Sequence, residues 1–158
     1  MAIIKILTEP NKILREISQP VENVGKEEQD LMRDMLETMH AAKGIGLAAI
    51  QIGIPKRIIV IDLNQDEKKN SINSVYEEGC LSVPNQFAEV ERPNKCEVEY
   101  LDFNGQKQLL KADGLLATCI QHEVDHLEGI LFIDYLSKLK KSIILKKLSK
   151  NKPIRIVV

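Results

Sequence analysis

The stretch of sequence that decides the fold is residues 115–128, Leu-Leu-Ala-Thr-Cys-Ile-Gln-His-Glu-Val-Asp-His-Leu-Glu, which Gly129 follows. Its apolar residues recur at helical spacing, and a glycine directly after the last turn is a typical helix end, so the pattern predicts a helix that stops at Gly129. His122 and His126 are four residues apart and therefore share one helix face, with Cβ atoms about 5–6 Å apart. Two imidazoles at this spacing can bind one metal ion.

Glu123 follows His122 directly and lies about a quarter turn around the predicted helix. Its carboxylate would be adjacent to a metal on the two histidines without being a ligand, as the general base for a metal-bound water must be. The same side of the helix carries a partly apolar floor for the site, at Leu115, Thr118 and Cys119. The alternative is a solvated helix with exposed His and Glu side chains. Two histidines do not make a site, since a catalytic zinc-type centre has a third protein ligand and one open position.

Cys80 is the better candidate for that third ligand and His40 is the poorer one. Cys80 follows the flexible Gly79, and a thiolate is a strong ligand for a divalent metal. His40 ends a predicted helix, where a cation is favourable by itself, so we interpret it as structural. Cys96 on a predicted strand and Cys119 on the core side of the metal-binding helix are interpreted as buried apolar residues.

Residues 44–51, Gly-Ile-Gly-Leu-Ala-Ala-Ile-Gln, are rich in small side chains that allow a ligand to approach the backbone closely. Ala49 breaks the Gly-x-Gly-x-x-Gly spacing, and no Lys-Ser or Lys-Thr pair follows, so a phosphate-binding loop is disfavoured. Gln51 offers a neutral amide that can polarise a carbonyl. Taken alone, this stretch is more simply a tight turn with a surface glutamine.

The rest of the chain predicts an α+β fold without a domain boundary. Residues 26–43 have helical periodicity and Gly44 as their stop, whereas 57–63 has the β-branched residues of a buried strand. Residues 96–112 form a predicted hairpin, with Asn104-Gly105 as a two-residue turn in which both positions have positive φ. The polar residues 64–75 are a predicted loop, and 130–133 a short strand or turn. Residues 135–150 form a predicted amphipathic helix with a defined apolar side, namely Leu136, Leu139, Ile143 and Leu148.

The overall composition excludes several classes of protein. The 158 residues carry a net charge of −1, which excludes a globally basic nucleic-acid binder. No apolar run approaches the ~20 residues of a transmembrane helix, and the first residues lack signal-peptide order. Three cysteines without an export signal favour thiols in a reducing compartment. After Asp134 there are eight Lys and Arg and no acid, which indicates either a solvated helix face or a patch that binds an anionic partner.

Three segments together resemble the signature motifs of the peptide deformylase family, in that family's order. They are Gly-Ile-Gly-Leu-Ala-Ala-Ile-Gln at 44–51, Glu-Gly-Cys-Leu-Ser at 78–82 and Gln-His-Glu-Val-Asp-His at 121–126. Each motif is weakly specific by itself, but all three in order are highly specific. The resemblance covers nearly the whole chain and implies one catalytic domain over 1–158, with a basic helix and tail at about 135–158. It also implies partly open antiparallel sheets packed around the metal-binding helix.

Peptide deformylases remove the N-formyl group from the first Met of new polypeptides and release formate. The resemblance implies one divalent metal, typically Fe(II), with Zn(II) or Ni(II) as substitutes and water as the fourth ligand. The implied metal ligands are Cys80, His122 and His126. Glu123 is implied as the residue that moves the proton, with the Gln51 amide and the Leu81 backbone N–H as donors to the formyl oxygen. Substrate contacts are implied at seven positions, namely Ile45, Gly46, Tyr76, Gly79, Leu115, Thr118 and Cys119.

The implied partners are nascent formyl-methionyl peptides in the cytoplasm, with no membrane and no DNA. In some bacterial members a basic C-terminal helix docks on the ribosome. Four features depart from the family pattern: Tyr76 and Thr118 stand at positions that are usually aliphatic, Phe87 stands where many relatives have Arg, and the 64–77 connection is short. Three alternatives therefore remain open. They are a deformylase-like paralogue that acts on another N-acylated or short peptide, a plain metalloprotease, and a ribosome- or RNA-associated binding protein with a residual metal site.

Overall fold

The computed structural model of the protein describes residues 2–64 and 77–150. The helices of these two ranges are α1 (Lys26–Ala41), α2 (Gly114–Leu127) and α3 (Lys138–Lys150). Their strands are β1 (Gly46–Ala48), β2 (Ile59–Ile61), β3 (Glu77–Cys80), β4 (Val83–Glu89), β5 (Lys95–Leu101) and β6 (Lys107–Asp113). The strands form antiparallel pairs, β1 with β2, β3 with β4 and β5 with β6. The predicted α+β class with short open antiparallel sheets is confirmed.

Some predictions concern residues outside the described ranges. The predicted loop at 64–75 falls there almost entirely, as do Tyr76 and the basic residues beyond Lys150. The predicted strand at 57–63 is shorter in the structure, where β2 covers Ile59–Ile61.

Helix α2 is the element around which the sheets are arranged, and it contacts both the β1–β2 pair and the β5–β6 hairpin. It ends where predicted: Gly129 has φ 71°, and its N–H donates to the carbonyl of His126 at 3.1 Å. The backbone of Arg15 lies so close to Gly129 that a Cβ there would be 2.4 Å from the Arg15 carbonyl oxygen. Glycine is therefore required both by its conformation and by this contact.

Helix α1 packs its methionines into the core and ends at Ala41, two residues before the predicted last residue, Lys43. Met35 and Met39 are fully buried in a cluster with Leu47 of β1. The residue in the left-handed conformation is Lys43, with φ 57°, and not Gly44. The N–H of Gly44 donates to the carbonyl of Met39 at 2.9 Å, as in a Schellman motif, so the hydrogen bonds of this helix end hold a lysine where a glycine is usual.

The β5–β6 hairpin has the predicted strands but a longer turn. Leu101 pairs with Lys107, and Gly105 has φ 75°, whereas Asn104 does not have the predicted positive φ. Asp102 explains the difference, because its Oδ1 accepts the N–H groups of Asn104 and Gln106, each at 2.9 Å. These bonds favour a three-residue loop closed by a left-handed glycine over the predicted two-residue turn.

The chain after α2 forms a 3-10 turn, Phe132–Tyr135, rather than a strand, and then α3. The prediction of which side of α3 is buried is wrong in part, since Leu139 is 71% exposed and Ile143 is 45% exposed. Ile144 is buried instead, in a cluster with Val83 of β4. The ion pair between Lys141 and Asp134 accompanies this rotation of the helix. None of the helices in the described ranges is long and apolar enough to cross a membrane.

Candidate metal centre

Cys80, His122 and His126 converge on one point between β3 and α2. Their ligand atoms all lie within 4.8 Å of one another, and the Cys80 Sγ is 3.2 Å from the His126 Nε2. A register shift between Gly79 and Cys80 interrupts the β3–β4 pairing directly before the thiol. Irregularities of this kind redirect a side chain, and here the redirected side chain is the predicted third ligand.

The protonation pattern of the two imidazoles suits a metal. The Nδ1 of His122 is 2.9 Å from the Glu78 Oε2 and donates to that carboxylate, so the Nε2 is the nitrogen that can bind a metal. Burial lowers the pKa of His126 well below its ordinary value and keeps this ring neutral. Burial alone would lower the pKa of His122, but hydrogen bonds with Cys80 and Glu78 raise it, so metal binding there must release a proton. One sulfur and two imidazole nitrogens are a donor set that fits Fe(II), Zn(II) or Ni(II).

Glu123 lies beside this centre with a free carboxylate oxygen. The residue is 4% exposed, and its Oε2 is buried without a hydrogen-bond partner among the described residues. Burial raises the pKa of Glu123 to about 7, so the carboxyl group can both accept and release a proton near neutral pH. Gly46 of β1 makes room for it, because a Cβ at that position would lie 2.3 Å from the Glu123 Oε1.

Gln51 is buried next to the thiol, and the interpretation of a surface glutamine is wrong. The side chain is 1% exposed, and its Oε1 accepts the N–H of Ala48 at 2.9 Å. Its Nε2 donates to the Ser82 Oγ at 3.0 Å and lies 3.5 Å from the Cys80 Sγ. One N–H of this amide is donated to Ser82, and the other lies on the side of the sulfur.

A chain of charged and polar groups leads away from His122. Arg92 binds both oxygens of the Glu78 carboxylate, with Nη2 at 3.0 Å from Oε2, and its Nη1 is 2.9 Å from the Asp125 Oδ2. The Tyr135 hydroxyl donates to the same Asp125 oxygen at 2.8 Å, and its ring lies 5.0 Å from the Arg92 guanidinium. Burial alone would raise the pKa of Glu78, but hydrogen bonds from His122 and Arg92 lower it.

A family model described as polypeptide deformylase matches residues 3–142. The chain belongs to the polypeptide deformylase family. It is 71% identical to a peptide deformylase of Pelagibacter ubique over 172 aligned positions that cover both chains completely. It is 49% identical to a peptide deformylase of Rhizobium meliloti, covering 95% of this chain and 94% of the relative.

Solved structures agree with this assignment. A peptide deformylase from Ehrlichia chaffeensis in complex with actinonin has a TM-score of 0.89 at 38% identity, covering 98% of this chain and 100% of that one. A peptide deformylase from Legionella pneumophila has a TM-score of 0.83 at 42% identity, covering 96% and 100%. The predicted family and enzyme class are therefore confirmed, and these findings support a deformylase rather than the paralogue, the metalloprotease or the binding protein.

The residues expected to contact the substrate are all described in the structure except Tyr76. Gly46 and Cys119 are buried beside Glu123, and Leu115 and Thr118 are half-buried on the first turns of α2. The Ile45 carbonyl accepts the N–H of Asp62 at 3.0 Å. Gly79 pairs with Phe87 across the β3–β4 pair, and Leu81 follows the Cys80 thiol in the turn between these strands.

His40 and Cys96 are interpreted as structural residues, and their positions are consistent with that interpretation. The His40 Nε2 is 2.9 Å from the Asp62 Oδ2 at the end of α1, and Cys96 packs in the cluster under the hairpin. Sequence reasoning missed the chain formed by Glu78, Arg92, Asp125 and Tyr135. Glu78 belongs to the second motif and could have been found there, whereas nothing in the sequence around Arg92 signals its contact with Glu78.

Proposed function

We propose that this deformylase uses Cys80, His122 and His126 to hold Fe(II) and removes the formyl group from the N-terminal Met of nascent polypeptides. The observation that supports the proposal is the convergence of one sulfur and two ring nitrogens within 4.8 Å beside a carboxylate with a free buried oxygen. The reaction consumes one water molecule and yields formate and a free amine. When bound, the metal supplies a Lewis acid that acidifies a water molecule and polarises the formyl carbonyl.

Glu123 moves the proton in this proposal. Its Oε2 accepts a proton from the attacking water and delivers it to the amide nitrogen, which leaves as the free N-terminus of the peptide. Its buried position supports this role, since a carboxylate without a competing hydrogen-bond partner at Oε2 is available to the reacting water.

Two donors are proposed for the formyl oxygen as it gains negative charge. The Gln51 Nε2 lies 3.5 Å from the ligand thiol, and the backbone N–H of Leu81 follows that thiol directly in the chain. Both groups are held by the fold before substrate binds, so their stabilisation of the charged oxygen costs little reorganisation.

The substrate is proposed to lie extended between Ile45 and Gly79 and to use their backbone groups for hydrogen bonds. Phe87 supports contact with an apolar peptide side chain, because its ring is 65% exposed and lies directly against Gly79. We place this work in the cytoplasm, where formylated nascent chains are made.

Metal analysis of anaerobically purified protein, combined with formate release, tests the proposal. We expect iron in the protein and turnover of formyl-Met-Ala-Ser, but not of acetyl-Met-Ala-Ser. Zn(II) or Ni(II) should compete for the same three ligands. Protein that contains metal but releases no formate, or that hydrolyses both peptides equally, would contradict the assignment.

We further propose that α3 docks on ribosomal RNA near the polypeptide exit. This helix carries six lysines, of which Lys141 is held inward by Asp134 at 2.6 Å. The others are exposed. Exposed Leu139 adds an apolar contact on the outer face of the helix.

The docking is tested by charge reversal at three exposed lysines in one variant, namely Lys140→Glu, Lys146→Glu and Lys147→Glu. Lys141 is left unchanged because its ion pair holds the helix. We expect weaker co-sedimentation with ribosomes, a shallower salt dependence and unchanged turnover of a free peptide. The matched control changes three exposed lysines elsewhere, Lys26, Lys95 and Lys107, to Glu. Equal binding of both triple variants would refute docking through α3.

A further inference from the structure

We infer that Arg92 and Tyr135 are positioning residues that set how long the metal stays bound, although neither touches the metal or the substrate. The inference rests on the proposed metal centre. It follows from one continuous series of contacts that begins at His122 and ends at the surface, at the Tyr135 hydroxyl. The series crosses β3, the segment after β4, α2 and the 3-10 turn Phe132–Tyr135.

The first contact determines which nitrogen of His122 can bind a metal. Because the Nδ1 is held by Glu78, the Nε2 is the ring nitrogen left to bind a metal beside the Cys80 thiol. The Glu78 carboxylate also fixes the rotation of the ring about its χ angles. Any freedom of Glu78 therefore becomes freedom of the His122 ligand atom.

The second contact removes that freedom. Arg92 binds the Glu78 carboxylate with two nitrogens, as a fork, and the side chains of Arg92 and Glu78 are 6% and 5% exposed. A bidentate pair that water cannot reach is weakly screened by salt and defines the plane of the carboxylate. Loss of the guanidinium would leave a buried negative charge beside a metal ligand, which is strongly unfavourable.

The third contact holds Arg92 in place. Its Nη1 binds Asp125, the residue directly before the ligand His126, and the Tyr135 ring covers its guanidinium. The Tyr135 hydroxyl binds the same Asp125 oxygen, so one tyrosine orients both the arginine and its second carboxylate. Tyr135 is 51% exposed and shields the almost fully buried Arg92 from solvent.

The rate of metal dissociation tests the inference. It is measured on Co(II)-loaded protein in competition with a chelator, from the loss of the cobalt–thiolate absorption. Arg92→Met should raise the dissociation rate about 10–100-fold, as is typical when a partner of a metal ligand is lost. Tyr135→Phe keeps the ring and removes one hydroxyl, so it should cause a smaller increase of at least about twofold. In a Glu78→Gln background, Arg92→Met should cause little further change, because Arg92 acts through Glu78.

The chain offers matched controls away from the centre. Arg33 lies 5.0 Å from the Phe103 ring, in the same kind of stacked contact, and Tyr100 is an exposed tyrosine on β5. Arg33→Met and Tyr100→Phe should leave the dissociation rate unchanged. Rates for Arg92→Met and Tyr135→Phe equal to these controls would overturn the inference, as would full additivity with Glu78→Gln. A wild-type protein that binds no Co(II) would instead overturn the metal centre itself, and this inference with it.

Discussion

Replacing Gly46 with alanine tests how closely β1 approaches the proposed proton carrier. The added Cβ would lie 2.3 Å from the Glu123 Oε1, 2.9 Å from its Cδ and 3.0 Å from the Cys119 Sγ. Ordinary van der Waals contacts begin at 3.4 Å, so the carboxylate must move by about 1 Å or more. Gly46 does not have a positive φ, so this contact alone opposes the methyl group.

A displacement of this size has a predictable cost. Misplacing a catalytic group by about 1 Å lowers the rate about 100-fold, which corresponds to about 2.7 kcal/mol of transition-state stabilisation. Overpacking should also lower the free energy of unfolding by about 1–3 kcal/mol. Metal content should be unchanged, because the three atoms nearest to the methyl group belong to Glu123 and Cys119 and not to a proposed ligand.

The assay is kcat and KM for formate release from formyl-Met-Ala-Ser, with metal content and Tm measured on the same preparation. Gly25→Ala is the matched control, since a Cβ there would lie 3.5 Å from the Glu28 Oε2 in ordinary contact and the backbone has φ −105°. A Gly46→Ala protein with full metal content and a kcat within about threefold of the wild type would refute the argument from displacement, which requires about 100-fold.

Three further predictions concern other groups. Glu123→Ala should retain its metal but lose turnover about 100–10,000-fold, since the water loses its base; a nearly normal kcat would remove Glu123 from the mechanism. Cys80→Ser should weaken metal binding. When Fe(II) is added back to chelator-treated protein, the Tm should therefore rise less for the variant than for the wild type at the same Fe(II) concentration. Burial alone would raise the pKa of Asp134, but hydrogen bonds from Lys141 and the Leu131 N–H lower it below 3.8. This carboxylate therefore contributes stability above about pH 4 that is lost as pH falls through its folded pKa. The difference in unfolding free energy between the wild type and Asp134→Asn should shrink in acid urea titrations, and a difference that grows would contradict this.

Local patterns predicted the elements of this fold well where one short segment contains all the relevant information. Helix α2, its end at Gly129 and the strands of the β5–β6 hairpin all follow from periodicity and glycine placement. The turn at Asn104 was predicted too short, because its length depends on an Asp102 side chain that accepts two N–H groups. The turn propensity of the Asn-Gly dipeptide does not include a neighbouring side chain that accepts backbone N–H groups.

Helix α3 shows a second kind of difference. Its sequence contains apolar residues on more than one side, and periodicity alone selected Leu139 and Ile143 for the core. In the structure the face with Ile144 is buried, and Lys141 is paired with Asp134 in the preceding 3-10 turn. The rotation of an amphipathic helix depends on its partner surface when its own pattern is ambiguous.

The sequence by itself determined that two imidazoles share one face of a helix with a carboxylate beside them, because spacing of four residues is a property of a single helix. It also determined the family, through three motifs in one order. Only the tertiary structure decided that a thiol 46 residues before His126 reaches the same point, and that Arg92 binds a carboxylate and α2 at once. These contacts join separate strands and a helix, and their geometry comes from packing the whole chain, which no local pattern encodes.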